Sequence, residues 1–179
     1  MTHIVLPAAA DAPPPARLPA HLTDLRPAPE SPALALARAA DLAGLAGVLV
    51  PFDPQGPESI VTAAALLRAT RYVQVVAGIH SGATTSQYAA KLSASLQRFS
   101  GGRFGWHLEA DDPDRERFVA VAREFWHSPE GLPKPLSDNP FPAVYVGGID
   151  GRGTPGFVEV GSDPGEVYRL GEKESAHVG

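Results

Sequence analysis

The sequence predicts an α/β protein built around a parallel sheet, and three observations lead there. From Ala33 to Leu108, short apolar runs alternate with amphipathic stretches of helical length. Glycine or proline marks most of the changes of period, as expected for punctuated elements. The strand-like runs, such as Gly47–Pro51 (GVLVP), are almost wholly apolar, which suits strands covered on both faces. Strands joined through helices in this way imply right-handed crossovers.

Each element has its own signal. His3–Pro7 (HIVLP) is apolar enough for a first strand. Ser31-Pro32 supplies an N-cap followed by proline in the first helical turn, and Gly44 stops that helix. After the GVLVP strand, Pro57 restarts a helix in which Ile60, Val61, Ala64 and Leu67 recur at helical spacing, ending near Thr70. Tyr72–Ile79 (YVQVVAGI) is the third strand. Ser86–Phe99 is the third helix, with Tyr88, Leu92, Leu96 and Phe99 on one face and a Ser-Gly-Gly stop. Arg103–Glu109 (RFGWHLE) is the fourth strand. Asp112-Pro113 opens a fourth helix carrying Phe118, Val121, Ala122 and Phe125, which ends before Pro129. Ala143–Val146 and Phe157–Val160 are expected as the fifth and sixth strands. This pattern leaves two closures open: a TIM-type barrel or a doubly wound open sheet.

Composition narrows the function classes. With 44% hydrophobic residues among 179, one domain with a substantial core is expected. A net charge of −5 argues against a nucleic-acid partner, which calls for a basic stripe. No apolar run approaches the roughly 20 residues of a membrane span, and MTHIVLPAAADAPPP has no signal-peptide pattern. A cytoplasmic location is therefore expected. The absence of cysteine excludes disulfides, thiolate nucleophiles and zinc–sulfur sites. There is no GxSxG elbow to support a hydrolase. The 18 glycines and 19 prolines are unevenly placed. They suggest a Pro/Ala-rich arm over 1–32 that contains the possible first strand, a domain over 33–170 and a flexible tail over 171–179.

Three segments carry a family resemblance: ARAADLAGLAGVLVP, TAAALLRATRYVQVVAGIHSG and AAKLSASLQRFSGGRF. The most specific feature is the end of the third helix, where Leu96, Arg98, Ser100 and Gly102-Arg103 form an LxRxSxGR pattern. Weaker echoes follow in NPFPAVYVGGIDG and FVEVGSDPGEVYRL. Together they resemble the luciferase-like flavin-dependent monooxygenases, and within them the alkanesulfonate monooxygenase branch. The resemblance implies an incomplete TIM-type barrel of about five to six parallel strands with helices outside. It also implies reduced FMN, or a deazaflavin, as cofactor. It further implies a homodimer, or a heterodimer with a longer family member.

The matched positions depart from the family where it contacts cofactor and substrate. A His after the first strand is replaced by Ala8-Ala9-Ala10, and the branch's Cys after the second strand by Gly56. The Arg-Pro pair after the third strand reads His80-Ser81, and the Ser-Pro before the third helix reads Thr85-Ser86. After the fourth strand, Asn and Thr-Gly become His107 and Ala110-Asp111. A Gly-Gly-Ser-Ser turn survives only as Gly147-Gly148, followed by Ile149-Asp150. The phosphate site of such barrels is commonly built after strands 7 and 8, which are not seen in this pattern. The resemblance therefore implies a subunit rather than a self-contained monooxygenase. The alternative is a non-catalytic paralogue that dimerises with a full-length enzyme and stabilises it.

Strand alternation yields the candidate site. Phe104, Trp106 and Leu108 share one face of the fourth strand, and Arg103, Gly105, His107 and Glu109 the other. If the apolar face meets the helices, His107 and Glu109 point into the barrel near its C-terminal mouth, with His80 expected beside them. The candidate cofactor-binding set is His80, His107, Glu109, Ala110, Gly147 and Gly148, with no residue assigned to catalysis. Three uses are open: an anion or flavin pocket, a His/carboxylate metal site, or a hydrogen-bonded polar plug. Gly147-Gly148, at a strand's C-terminal end, is the better anion candidate; Gly101 is more simply a helix cap.

Overall fold

The computed structural model describes residues 1–7, 31–133, 136, 138–148 and 153–176. Its elements in chain order are β1 (His3–Val5), α1 (Pro32–Leu42), β2 (Gly47–Val50), α2 (Ser59–Ala69), β3 (Gln74–Ile79) and α3 (Ser86–Ser100). There follow β4 (Phe104–Glu109), α4 (Arg115–His127), β5 (Ala143–Gly147), β6 (Phe157–Glu159) and α5 (Pro164–Ala176). The Pro/Ala-rich arm, including Ala8-Ala9-Ala10, lies outside the described residues beyond Pro7 and before Ser31, as does Ile149-Asp150.

Local chemistry sets the helix limits. The Ser31 hydroxyl accepts from the Leu34 amide and Pro32 occupies the first helical position of α1. Gly44, at φ 70°, ends that helix in the left-handed region. Glu58 caps α2 by accepting from Val61 N, and Thr85 caps α3 by accepting from Tyr88 N. Gly101, at φ 69°, closes α3 as a helix cap. β3 starts two residues later than its apolar run. The amides of Arg71, Tyr72 and Val73 all donate to the Asp41 carboxylate. Burial would raise that carboxyl, but the three amides and the Arg103 charge outweigh it and hold it below its ordinary value.

All six strands are parallel, in the order β5-β4-β3-β2-β1-β6. In a flat sheet the two edge strands would lie five strand spacings apart, roughly 24 Å. Here the Tyr145 ring on β5 and the Phe157 ring on β6 meet with centroids 5.0 Å apart. The sheet is therefore strongly curled, with its edges facing each other across the concave side. That decides between the two closures: the chain forms an incomplete TIM-type barrel with helices outside.

The convex face carries the main core. Ile4, Val48, Val75, Ala77, Phe104, Trp106 and Leu108 are buried there against Leu36, Ala40, Leu66, Ala90, Ala94, Ala122 and Trp126. Small helix side chains let the helices approach closely, and Trp106 fills the remaining space. Its indole donates to Ser93 Oγ at 2.8 Å, while Phe141 and Phe118 pack against the ring. The apolar stripe of α3 is buried only in part: Leu92 and Leu96 pack against the core, Tyr88 and Phe99 are 57% and 84% exposed, and the fully buried side chains are Ala89, Ala90, Ser93, Ala94 and Gln97. The reason is polar: the Gln97 amide bridges Pro140 O and Phe104 N, and Ser93 receives Trp106, so the smaller face is the one that fits. Residues 171–176, expected as the start of a tail, are the last turns of α5. Gly171 lets α5 pack on α1, since a Cβ there would lie 2.6 Å from Ala43 O.

Arg103 joins three elements at the opposite end of the sheet from the strand C-termini. Its guanidinium donates to Leu67 O, Thr70 O, Thr70 Oγ1, Val73 O and Ser100 O, capping α2 and α3 while holding the entry to β3.

Candidate functional site

Inward-facing residues fill the concave side from the strand N-termini to the C-termini. At the N-terminal end His3 stacks on Phe157 (centroids 4.5 Å) and meets Tyr145 edge-on. Gln74 Oε1 receives both the Tyr145 hydroxyl (2.7 Å) and His3 Nε2 (3.1 Å). Desolvation by burial pushes the His3 pKa below its ordinary value despite the Gln74 contact. Gly47 makes room, since a Cβ there would lie 2.5 Å from the His3 ring. Above this layer Val5, Leu49 and Val76 form a small apolar cluster with Tyr145 and Phe157.

The C-terminal mouth is closed by a contact across the curl. His107 on β4 is 1% exposed, and its Nε2 lies 2.9 Å from the hydroxyl of Thr154, itself 5% exposed. Thr154 belongs to the connection entering β6 and sits directly over Gly147 at the end of β5. A Cβ on Gly147 would lie 1.8 Å from Thr154 Oγ1. Glu109, two residues beyond His107, keeps a buried carboxylate oxygen, Oε1, without a hydrogen-bond partner. Its backbone carbonyl and that of Ala110 receive the Arg115 guanidinium. The exposed Ala110 donates its amide to Gly147 O, and Gly148 is half-buried.

His80 has different neighbours. It is half-buried at the rim, stacked against Phe52 (centroids 5.5 Å), with Nδ1 accepting from Gly82 N. Beside it Asp112 accepts from the Ser81 amide and hydroxyl and from Asp114 N. Burial would raise the Asp112 carboxyl, yet Ser81, the amides and the nearby His80 hold it below the usual carboxylate value. Thus His107, Gly147 and Thr154 form one cluster, while His80, Phe52, Ser81 and Asp112 form another. Among the described residues, no group of three His, Asp or Glu side chains is arranged to hold a metal. Thr154 and the His3–Gln74–Tyr145 triad are absent from the sequence-derived set. Gln74 carried a usable signal, as a lone polar residue at an inward position of an apolar strand. Thr154, in a GRGTPG loop, carried none.

An incomplete barrel of parallel strands with helices outside defines a class of α/β scaffold, the TIM-type fold. Comparison with known proteins makes this specific. Residues 15–125 match the family model for luciferase-like monooxygenases, so the chain belongs to that family. It is similar in fold to apo-MsnO8 (TM-score 0.55, 17% identity, covering 64% of this chain and 42% of that one). Weaker similarity is seen to the monooxygenase RslO1 of Streptomyces bottropensis (TM-score 0.46, 25% identity, 54% and 36% covered). The EDTA monooxygenase EmoA of Chelativorans sp. BNC1 is comparable (TM-score 0.47, 22% identity, 62% and 35% covered). The chain thus spans about two fifths or less of the length of these proteins. No helix among the described residues is long and apolar enough to cross a membrane.

The family implies a flavin at the strand C-termini, and the residues placed there do not fit one. The His107–Thr154 contact occupies the mouth, and Glu109 adds a buried carboxylate oxygen without a donor, an acceptor-only group beside the site.

Proposed function

We propose that the chain is a subunit of a luciferase-like, flavin-dependent monooxygenase of the alkanesulfonate branch. In this reading it works in the cytoplasm as a homodimer or with a longer family member, and it does not hold FMN or a deazaflavin alone. The observation that carries this is the mouth: the family scaffold is present, but its interior is filled by the chain's own Thr154 against His107. The edge strands β5 and β6 support an assembly, because parallel edges left open invite pairing. The test is mass in solution together with quenching of FMN fluorescence, for the chain alone and co-expressed with a full-length family enzyme. An oligomer that quenches FMN only in the co-expressed form is expected. A monomer that binds FMN stoichiometrically and turns over with dioxygen overturns the reading. Glu109 favours a second reading, the non-catalytic stabilising paralogue. Under it, Glu109→Gln and His107→Ala leave the turnover of the assembly unchanged.

A further inference from the structure

We infer that Gly153–Phe157 is an autoinhibitory plug, a turn that seats Thr154 in the barrel mouth and must withdraw before any ligand reaches His107. This rests on the reading above only in taking the mouth as the family's ligand site. Four observations converge on the turn. The Thr154 hydroxyl is within hydrogen-bond distance of His107 Nε2, and both residues are buried. Gly147 is the one residue type that admits it, because any Cβ would collide with both Oγ1 and Cβ of Thr154, at 1.8 and 2.9 Å. The Gly147-Gly148 pair, which looked like an anion cradle, thus has at Gly147 a simpler use as the seat of the plug. The turn is flanked by glycines at positive φ, Gly153 at 70° and Gly156 at 81°, and is closed by Phe157 N donating to Thr154 O.

The fourth observation concerns where the turn is anchored. Its C-terminal side is fixed, since Gly156 O accepts from His3 N and the Phe157 ring stacks on His3. Thr154 itself adds the 2.9 Å contact with His107 and its seat over Gly147. Withdrawal of Thr154 therefore leaves β6 and the lower layers in place. It removes the Thr154 cover from Nε2 of His107, whose ring keeps its contact with Phe157 (centroids 6.3 Å).

The experiment reads the plug without relying on flavin. Native protein is treated with diethyl pyrocarbonate and the modified histidines are mapped by peptide mass, with exposed His127 as the internal reference. Thr154→Gly and Gly147→Ala are expected to speed modification of His107 by about tenfold or more, with His127 unchanged, as local opening predicts. Thr154→Val, which keeps the shape, is expected to leave His107 protected. Parent-like protection in both opening variants overturns the proposal. If those variants do not fold, the parent decides. Its His107 modification should rise with urea less steeply than that of His3 in the lower layer, and equal slopes overturn the plug. An FMN arm keeps the two readings apart: exposed His107 in a co-expressed assembly that quenches no FMN sinks the flavin reading and leaves the plug standing.

Discussion

The two faces of the curled sheet are made by the same strands, yet they are held together differently. On the convex face, alternate residues from β1 to β4 meet helices through apolar contact, with polar atoms confined to a few points such as Trp106 Nε1 on Ser93. On the concave face an apolar layer of Val5, Leu49 and Val76 lies between two sets of polar contacts across the curl, His3–Gln74–Tyr145 below and His107–Thr154 above. The convex face depends on area removed from water, which tolerates imprecision. The concave face depends on partners from distant parts of the chain arriving together. Stability should therefore reside mainly outside, and pH sensitivity and local opening inside.

The largest expected effect tests the convex face. Trp106→Ala removes a fully buried ring and strands Ser93, and should cost about 3–5 kcal/mol, measured by urea unfolding. A loss under about 1 kcal/mol would mean that the helices do not rely on that core. On the concave face Tyr145→Phe deletes one hydrogen bond to Gln74 and keeps the ring against Phe157. A loss of about 0.5–1.5 kcal/mol is expected there. A loss as large as that of Trp106→Ala would erase the contrast between the faces.

The smallest effect concerns pH. The folded pKa of His3 lies below its ordinary value of 6.5, so between the two values the unfolded chain binds more protons. This contribution is complete above pH 6.5 and is lost as the pH falls below it toward the folded value. Urea midpoints at pH 7.5 and pH 5.5 should therefore differ in the parent, and the difference should shrink in His3→Asn. An unchanged pH dependence in the variant would place the sensitivity elsewhere.

The legibility of the sequence divides along the same line. Convex-face residues follow period two along each strand, so Phe104, Trp106 and Leu108 could be set against the helices from RFGWHLE alone. Helix ends at Ser31, Gly44 and Gly101 are equally local, whereas the Thr85 cap shows only in the structure. His107 could be placed inside by elimination, but its partner could not. Thr154 reaches it only because β6 pairs with β1 and the curl brings its entry loop over β5. The His3–Gln74 and Gln74–Tyr145 contacts each span 71 positions, beyond any windowed pattern. The burial of α3 is only partly legible for a related reason. Leu92 and Leu96 pack on the core while Tyr88 and Phe99 of the same stripe are exposed, and Gln97 and Ser93 have buried uses that appear only with their partners.

Arg103 has a consequence that reaches the other end of its strand. Its fork holds Val73 O and the carboxyl end of α2 while its own carbonyl receives Val75 N, so it fixes how β4 lies beside β3. In that alignment His107 stands opposite Gly78. A slip of one residue would turn His107 toward the helices and put Trp106 or Leu108 in the mouth. A single cation roughly 13 Å from the mouth, four residues along an extended strand, thus determines whether the barrel displays an imidazole or a hydrocarbon there. The positional fidelity of the site is set at the foot of the strand.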